Sequence, residues 1–96
     1  MIKIVAKQTV KQAKIDNFIA LARKLAAQTR KSDAGCIRYE LFQDVKELRT
    51  LTFIEEWENQ NALDEHMRAG HFKEIFPQLA ALCEKPGEIN IYRKVE

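Results

Sequence analysis

The chain has 96 residues, a length that predicts a single domain over residues 1–96 with a modest hydrophobic core. Apolar residues make up 46% of the sequence and charged residues 31%, which excludes the collagen-like, disordered and coiled-coil classes. No apolar run approaches the roughly 18 residues that a membrane span needs, and we see no segment typical of a secretory signal. We therefore expect no membrane partner.

The net charge of +2 is unevenly distributed along the chain. The first 31 residues carry eight Lys or Arg side chains and a single acid, Asp16. Basic segments of this kind occur in nucleic-acid-binding proteins. Here the basic residues fit a solvated helix face, and aromatic residues do not interleave them as a base-stacking surface requires. We predict no nucleic-acid partner.

The first half of the chain predicts a strand, a helix and a second strand. Residues 1–9 alternate between apolar and polar side chains, as a half-buried strand does. Residues 11–31 carry apolar side chains three and four positions apart, which predicts an amphipathic helix. Residues 36–43 alternate again. Three apolar residues of this strand share one face, Ile37, Tyr39 and Leu41.

The second half predicts a strand, a split helical segment and a last strand. Residues 49–57 alternate, and a helix follows that begins after the N-cap Asn59 and runs to about residue 69. A further helix covers residues 71–84, with a kink or restart at Pro77. The last strand, residues 88–95, points Ile89 and Ile91 inward. The order βαββαβ predicts an α+β, ferredoxin-like fold with helices on one face of an antiparallel sheet.

The other face of this sheet carries one apolar residue from each strand. These residues are Val5, Phe42, Ile54 and Tyr92. A lone monomer would expose them as a patch, and exposed apolar patches usually mark interfaces. We predict a homodimer packed through its sheet faces. The alternative is a mixed, solvated sheet face.

Two cysteines and two histidines bear on compartment and metal chemistry. Cys36 and Cys83 fit no zinc, haem or redox spacing, which favours reduced thiols in a cytoplasmic protein. His66 and His71 are five positions apart across a helix break and lack HExxH spacing. The three glycines form no phosphate-binding loop. We predict no metal and no cofactor.

Glu55 lies between Phe53 and Trp57 on the apolar face of the third predicted strand. Carboxylates are rarely buried without a partner, so a buried Glu55 would have a raised pKa or a cationic neighbour. It is a candidate for orienting another group or handling a proton. Alternatively, it reaches solvent at the strand end or pairs with an Arg or His.

Trp57, His66 and His71 are the other candidates. Trp57 is the only tryptophan and ends a strand that leads directly into a helix, a common position for pockets. His66 borders the apolar stripe of its helix, and an imidazole pKa near 6.5 suits proton transfer. His71 follows Gly70 and could bond a helix end. Each also has an ordinary interpretation, as a core aromatic, a surface group or a cap.

Several segments together resemble one family. Residues 34–41 are similar to the second-strand signature of the antibiotic biosynthesis monooxygenase family, and residues 53–57 resemble its third-strand motif. Residues 62–66 match the following helix, and residues 70–72 its later His-Phe. The family usually has a Glu ahead of the glycine at Gly35, where this chain has Asp33. The resemblance covers nearly the whole chain in order and spacing.

The resemblance implies a dimeric α/β barrel with a pocket between the sheet and the helices of each subunit. It also implies a cofactor-independent oxygenase that acts on a quinol-like or polyphenolic aromatic with O₂. In this scheme His66 is the base, and Glu55 orients His66 or a substrate hydroxyl. The side chains implied to contact the substrate are Trp57, Tyr39, Phe53 and His71.

Two other functions stay open from the resemblance. Some relatives isomerise a phosphorylated metabolite, and Lys7 or Arg38 could bind a phosphate group. Haem-degrading relatives share a Trp and a downstream His, but use an Asn on the first strand where this chain has Lys7. A non-catalytic protein that binds a small aromatic or haem is the third possibility.

Overall fold

The computed structural model describes residues 1–96 and contains one four-stranded antiparallel sheet in the order β2-β3-β1-β4. The α+β ferredoxin-like prediction is confirmed. The elements in chain order are β1 Ile2–Thr9, α1 Ile15–Ser32, β2 Cys36–Gln43, β3 Thr50–Trp57, α2 Gln60–Arg68, α3 Gly70–Ala81 and β4 Glu88–Arg93. None of the three helices combines the length and the apolar character needed to cross a bilayer.

The core lies between the helices and one face of the sheet. Alternation places every second residue of β3 in this layer, including the fully buried Leu51 and Trp57. Helix α1 contributes Phe18, Ala22 and Leu25, which are also inaccessible to solvent. The predicted helix over residues 11–31 begins later than expected, because Gln12–Lys14 form a 3₁₀ turn before α1.

The predicted inward direction of Ile37 is wrong. Strand β2 shifts register against β3 between Cys36 and Arg38, so that Ile37 is an extra residue in a bulge. Cys36 lies opposite Trp57 and packs against the core, while Ile37 is 53% exposed. A bulge changes which residues face inward, and strict alternation cannot anticipate it. Tyr39, two residues on, is buried as predicted.

The edge strand β4 is less covered than its sequence predicts. Ile91 pairs with Ile4 and Ile89 with Ala6, which places both isoleucines on the helix side of the sheet, as expected. They nevertheless remain 56% and 53% exposed. Inward residues of the other three strands are buried, as at Tyr39, Phe53 and Ile4, whereas this edge stays partly open. The apolar residues of this edge therefore line an accessible space.

Candidate active site

A glycine turn brings the start of β2 against helix α2. Gly35 has φ of 84°, in the left-handed region, and a Cβ there would lie 2.5 Å from the Cβ of Ala62. The N–H of Glu58 donates a 2.9 Å hydrogen bond to the carbonyl of Gly35. His66 lies one helical turn after Ala62, on the same face of α2. This close approach sets His66 beside Asp33.

Asp33 joins the two histidines of the chain. His66 Nδ1 lies 2.5 Å from Asp33 Oδ2, and His71 Nε2 lies 3.0 Å from the same oxygen. The side chains are 1% exposed for His66, 8% for Asp33 and 16% for His71. An ionised carboxylate only accepts hydrogen bonds. Both ring nitrogens that face it therefore carry a hydrogen.

His66 keeps one ring nitrogen unpaired. Its Nε2 is buried and has no hydrogen-bond partner. Burial lowers the pKa of the imidazole, against the opposing effect of the Asp33 carboxylate. Burial thus favours the neutral ring, and the contact with Asp33 places its hydrogen on Nδ1 and its lone pair on Nε2. That nitrogen can accept a proton from a molecule that reaches it.

Aromatic rings fix the plane of His66. The ring centroid of Trp57 lies 4.7 Å from that of the imidazole, and those of Phe72 and Tyr39 lie at 4.9 and 5.2 Å. These contacts restrict rotation of the ring, and the Asp33 hydrogen bond selects one tautomer. A base held in one position and one tautomer loses little entropy when a substrate binds.

A cavity of about 190 Å³ opens beside His66. Ten of its twelve lining residues are hydrophobic, including Tyr39 and Phe53, and the two polar ones are Glu55 and His66. Four of the six residues predicted from the sequence as site residues thus line one space. The cavity is smaller than the roughly 300–1,000 Å³ of a drug-sized pocket. It suits a small planar aromatic.

Glu55 is a buried carboxyl group in this cavity. It is 6% exposed, and its Oε1 accepts a 3.0 Å hydrogen bond from Trp57 Nε1. Burial raises the pKa of Glu55 to about 7, against the smaller opposing effect of the Trp57 hydrogen bond. The strand pattern anticipated a perturbed carboxyl here. Its hydrogen-bond donor is a neutral indole, not the Arg or His that we considered.

Three details of the sequence interpretation need correction. Asp33, not Glu55, orients His66. Trp57 is fully buried and does not line the cavity; its ring packs 4.7 Å from that of His66, and its Nε1 donates to Glu55. His71 also lies outside the cavity lining, with Nε2 turned to Asp33. Trp57 and His71 therefore contact site residues without lining the cavity.

Asp33 is a functional residue that the sequence pattern did not indicate. Its contacts join residues 33 and 38 positions away, and no local periodicity reveals such contacts. One signal was available, since an acid stands two positions before a glycine where the family usually has Glu. That substitution preserves the carboxylate, which is the property the histidines use.

The same three side chains could also bind a metal ion. Asp33, His66 and His71 offer ligand atoms that all lie within 4.8 Å of one another, and two imidazoles with a carboxylate suit transition metals. The spacing of the histidines had suggested no such set. In the present geometry both nitrogens already bond Asp33, so a metal would have to replace both hydrogen bonds.

Comparison with known proteins gives consistent matches. The model of the antibiotic biosynthesis monooxygenase family matches residues 1–78. The structure of a conserved protein from Methanosarcina mazei Go1 is similar with a TM-score of 0.94 and 45% identity, over 97% of this chain and 91% of that one. A crystal structure described as an antibiotic biosynthesis monooxygenase has a TM-score of 0.93 and 33% identity, over 100% of both chains.

A curated relative extends beyond the matched region. The uncharacterized protein sll1783 of Synechocystis sp. is 38% identical over 87 residues, which are 91% of this chain and 58% of that protein. The chain thus spans little more than half the length of this relative. The chain belongs to the antibiotic biosynthesis monooxygenase family.

Proposed function

We propose that this protein is a cofactor-independent monooxygenase that oxidises a quinol-like or polyphenolic aromatic with O₂. One observation carries the proposal: His66 bonds Asp33 through Nδ1, keeps a buried and unpaired Nε2, and lines an apolar cavity. Membership of the family supports the same reaction class. The reaction needs a base and a water-poor slot, and this site has both.

The first step is removal of a proton from the substrate. His66 Nε2 takes the proton of a phenolic hydroxyl, which leaves an electron-rich phenolate. The phenolate gives one electron to O₂, and the resulting superoxide combines with the ring radical to form a carbon–oxygen bond. Breaking the O–O bond then leaves one oxygen on the substrate as C=O. The other oxygen leaves as water, which takes up the hydrogen of the attacked carbon and a proton equivalent to the one that His66 removed from the hydroxyl.

The remaining cavity residues have distinct roles in this scheme. Tyr39 and Phe53, whose ring centroids lie 5.4 Å apart, form an apolar wall for a planar ring. Burial raises the pKa of the Tyr39 hydroxyl, so it stays protonated. Glu55, with a pKa of about 7, can supply a proton to the departing oxygen near neutral pH. Exclusion of water protects the reactive intermediates.

Oxygen consumption with a panel of reduced quinols tests the proposal. Autoxidation is subtracted, the buffer contains a chelator, and ¹⁸O₂ labelling follows the oxygen atoms. We expect uptake above background, one labelled oxygen in the product, and loss of uptake in His66→Ala. Glu65→Ala is the matched control, since it alters the exposed neighbour of His66 on the same helix.

Other outcomes favour the alternative functions. Turnover of a phosphorylated metabolite without O₂ uptake would favour an isomerase. Tight binding of an aromatic or of haem without turnover, unaffected by His66→Ala, would favour a binding protein. Either result would contradict the monooxygenase proposal.

We further propose that the outward sheet face forms a homodimer. Val5 and Ile54 are cross-strand neighbours at its centre, and Phe42 and Tyr92 are 48% and 52% exposed. Charges of both signs flank this centre, with Arg38 close to Glu40 and Glu56. A face that carries both signs around an apolar centre can pair with a second copy of itself by two-fold symmetry.

Sedimentation tests this assembly. We expect wild type to sediment as a dimer and Ile54→Lys as a monomer, because the new charge lies at the centre of the interface. Val45→Lys is the control, since Val45 is 93% exposed in the loop between β2 and β3 and should leave the dimer intact. A monomeric wild type at micromolar concentration would contradict the proposal.

A further inference from the structure

The cavity at His66 is one end of a longer trough between β1, β4 and α3. Its floor is a ladder of inward-facing residues, with Ile4 opposite Ile91 and Ala6 opposite Ile89. The next inward residue of β1 is Gln8, which lies against Gly87: a Cβ on that glycine would come within 2.5 Å of the Gln8 amide. The floor thus changes from apolar to polar along one strand.

The roof of the trough follows helix α3. Phe72 and Phe76 stack with ring centroids 5.0 Å apart above the apolar end. Phe76 and Ile89 line both the His66 cavity and a second cavity of about 530 Å³. Gln8 lines that second cavity. The two cavities are therefore neighbours along one trough, which lies on the helix side of the sheet and stays open in the proposed dimer.

Gln8 holds an unsatisfied hydrogen-bond donor at the polar end. Its side chain is 5% exposed, and its Nε2 has no partner. The Oε1 of the same amide accepts a contact from the Cys83 thiol at 3.7 Å, which leaves the NH₂ group available. Buried donors without partners are costly and rare. Lys85 lines the same cavity and adds a positive charge.

We propose that Gln8 binds a carboxylate at the end of an arm on the substrate, with Lys85 contributing charge. This inference rests on the proposed function, because it assigns the aromatic ring to the His66 end of the trough. With a strand rise of roughly 3.4 Å per residue, Gln8 lies about 7 Å beyond Ala6 and about 14 Å beyond Ile4. The substrate class is thus an elongated aromatic carboxylate.

Binding without turnover tests the carboxylate site independently of catalysis. The probes are two naphthalenes with a straight six-carbon chain, one ending in a carboxylate and the other in a hydroxyl. Neither has a ring hydroxyl to oxidise. We expect calorimetry to show roughly tenfold tighter binding of the carboxylate to wild type, the size of one charge-assisted hydrogen bond. Equal affinities would overturn the proposal.

Two substitutions locate the effect at Gln8. Gln8→Met keeps the length of the side chain and removes the donor, so it should abolish the preference for the carboxylate. Gly87→Ala should reduce it by displacing the amide. Gln78→Met makes the same chemical change on the exposed side of α3 and should preserve the preference. An unchanged preference in Gln8→Met, or equal loss of affinity for both probes, would contradict the assignment.

Turnover then separates this proposal from the proposed function. With a quinol that carries the same carboxylate chain, Gln8→Met should raise KM about tenfold and leave kcat unchanged. Carboxylate preference without any O₂ uptake would refute the monooxygenase and keep the binding site. Uptake without carboxylate preference would refute the binding site and keep the monooxygenase.

Discussion

The two nitrogens of His66 lie in opposite environments. Nδ1 bonds a carboxylate that also binds His71, in a small hydrogen-bonded cluster. Nε2 has no partner, and the ring lines a cavity in which ten of twelve residues are hydrophobic. The polar side sets the tautomer, and the apolar side keeps the imidazole neutral. A neutral base at pH 7 requires both sides.

Asp33→Asn should have the largest effect on this arrangement. An amide can present its NH₂ group to the ring and so favour the wrong tautomer of His66. We expect kcat with a quinol to fall on the order of 10³-fold, and the ¹⁵N spectrum of the imidazole to show the hydrogen moving from Nδ1. Asp33→Glu keeps the carboxylate and should recover much of the activity. An unchanged spectrum and rate in Asp33→Asn would show that the polar side does not set the tautomer.

Glu55→Gln tests the apolar cavity beside His66 through the pH dependence of the free energy of unfolding. Below about pH 4.5 the carboxyl is protonated in both the folded and the unfolded chain. As the pH rises to about 7, only the unfolded chain ionises, because the folded pKa is raised from 4.5 to about 7. Wild type should therefore lose stability across this window, by about 3 kcal/mol in total. Glu55→Gln, which cannot ionise, should not.

Urea unfolding at about pH 4.5 and pH 8 measures this difference. The variant should match wild type at the lower pH and exceed it by about 3 kcal/mol at the higher pH. Glu56→Gln is the control, since Glu56 faces outward on the same strand and contacts Lys3 and Arg38. If the free energy of unfolding depends on pH equally in wild type and Glu55→Gln, the Glu55 carboxyl group is accessible to water and its pKa is not raised by burial.

Gly35→Ala should disturb the close approach of the start of β2 to helix α2, which holds Asp33 against His66. The new Cβ would lie 2.5 Å from that of Ala62, at a residue with φ of 84°. We expect a loss of roughly 2 kcal/mol in the free energy of unfolding and a weaker contact between Asp33 and His66. Adding Ala62→Gly relieves the clash and should restore part of the loss. If the double variant recovers no stability, the loss in Gly35→Ala comes from the strained φ at residue 35 and not from the clash with Ala62.

His71→Gln should have the smallest effect. His71 contacts Asp33 and lies outside the cavity lining, and a Gln amide can still donate to the carboxylate. We expect kcat to fall only a few-fold, on the scale of one modified hydrogen bond. Steady-state kinetics at pH 7 measure the change. A loss as large as that of Asp33→Asn would make His71 part of the reacting machinery.

The sequence predicted the fold because each element carries its own periodicity. The alternation of β3 and the apolar stripe of α1 were sufficient to place Phe53 and Phe18 in one core. The same local logic failed at Ile37, where a bulge moves one residue outward. It also overestimated the burial of Ile89 and Ile91, since an edge strand is covered only if a helix reaches it.

The site was partly predictable for the same reason. Glu55 stood out because a charged residue interrupts an apolar face, and His66 because it borders one. Asp33 did not, since its function depends on contacts with two helices that are distant in the sequence. The unpaired NH₂ group of Gln8 was not predictable either, because the alternating pattern of β1 assigns a side chain to a face but does not show its partners.

Chemical rescue tests the role of His66 most directly. The His66→Ala variant removes the proposed base and leaves a space that adjoins the cavity. Added imidazole should restore quinol-dependent O₂ uptake in a saturable manner, whereas Glu65→Ala should retain full activity without it. This is the result that a base at Nε2 predicts. Wild-type turnover in His66→Ala without imidazole would contradict it.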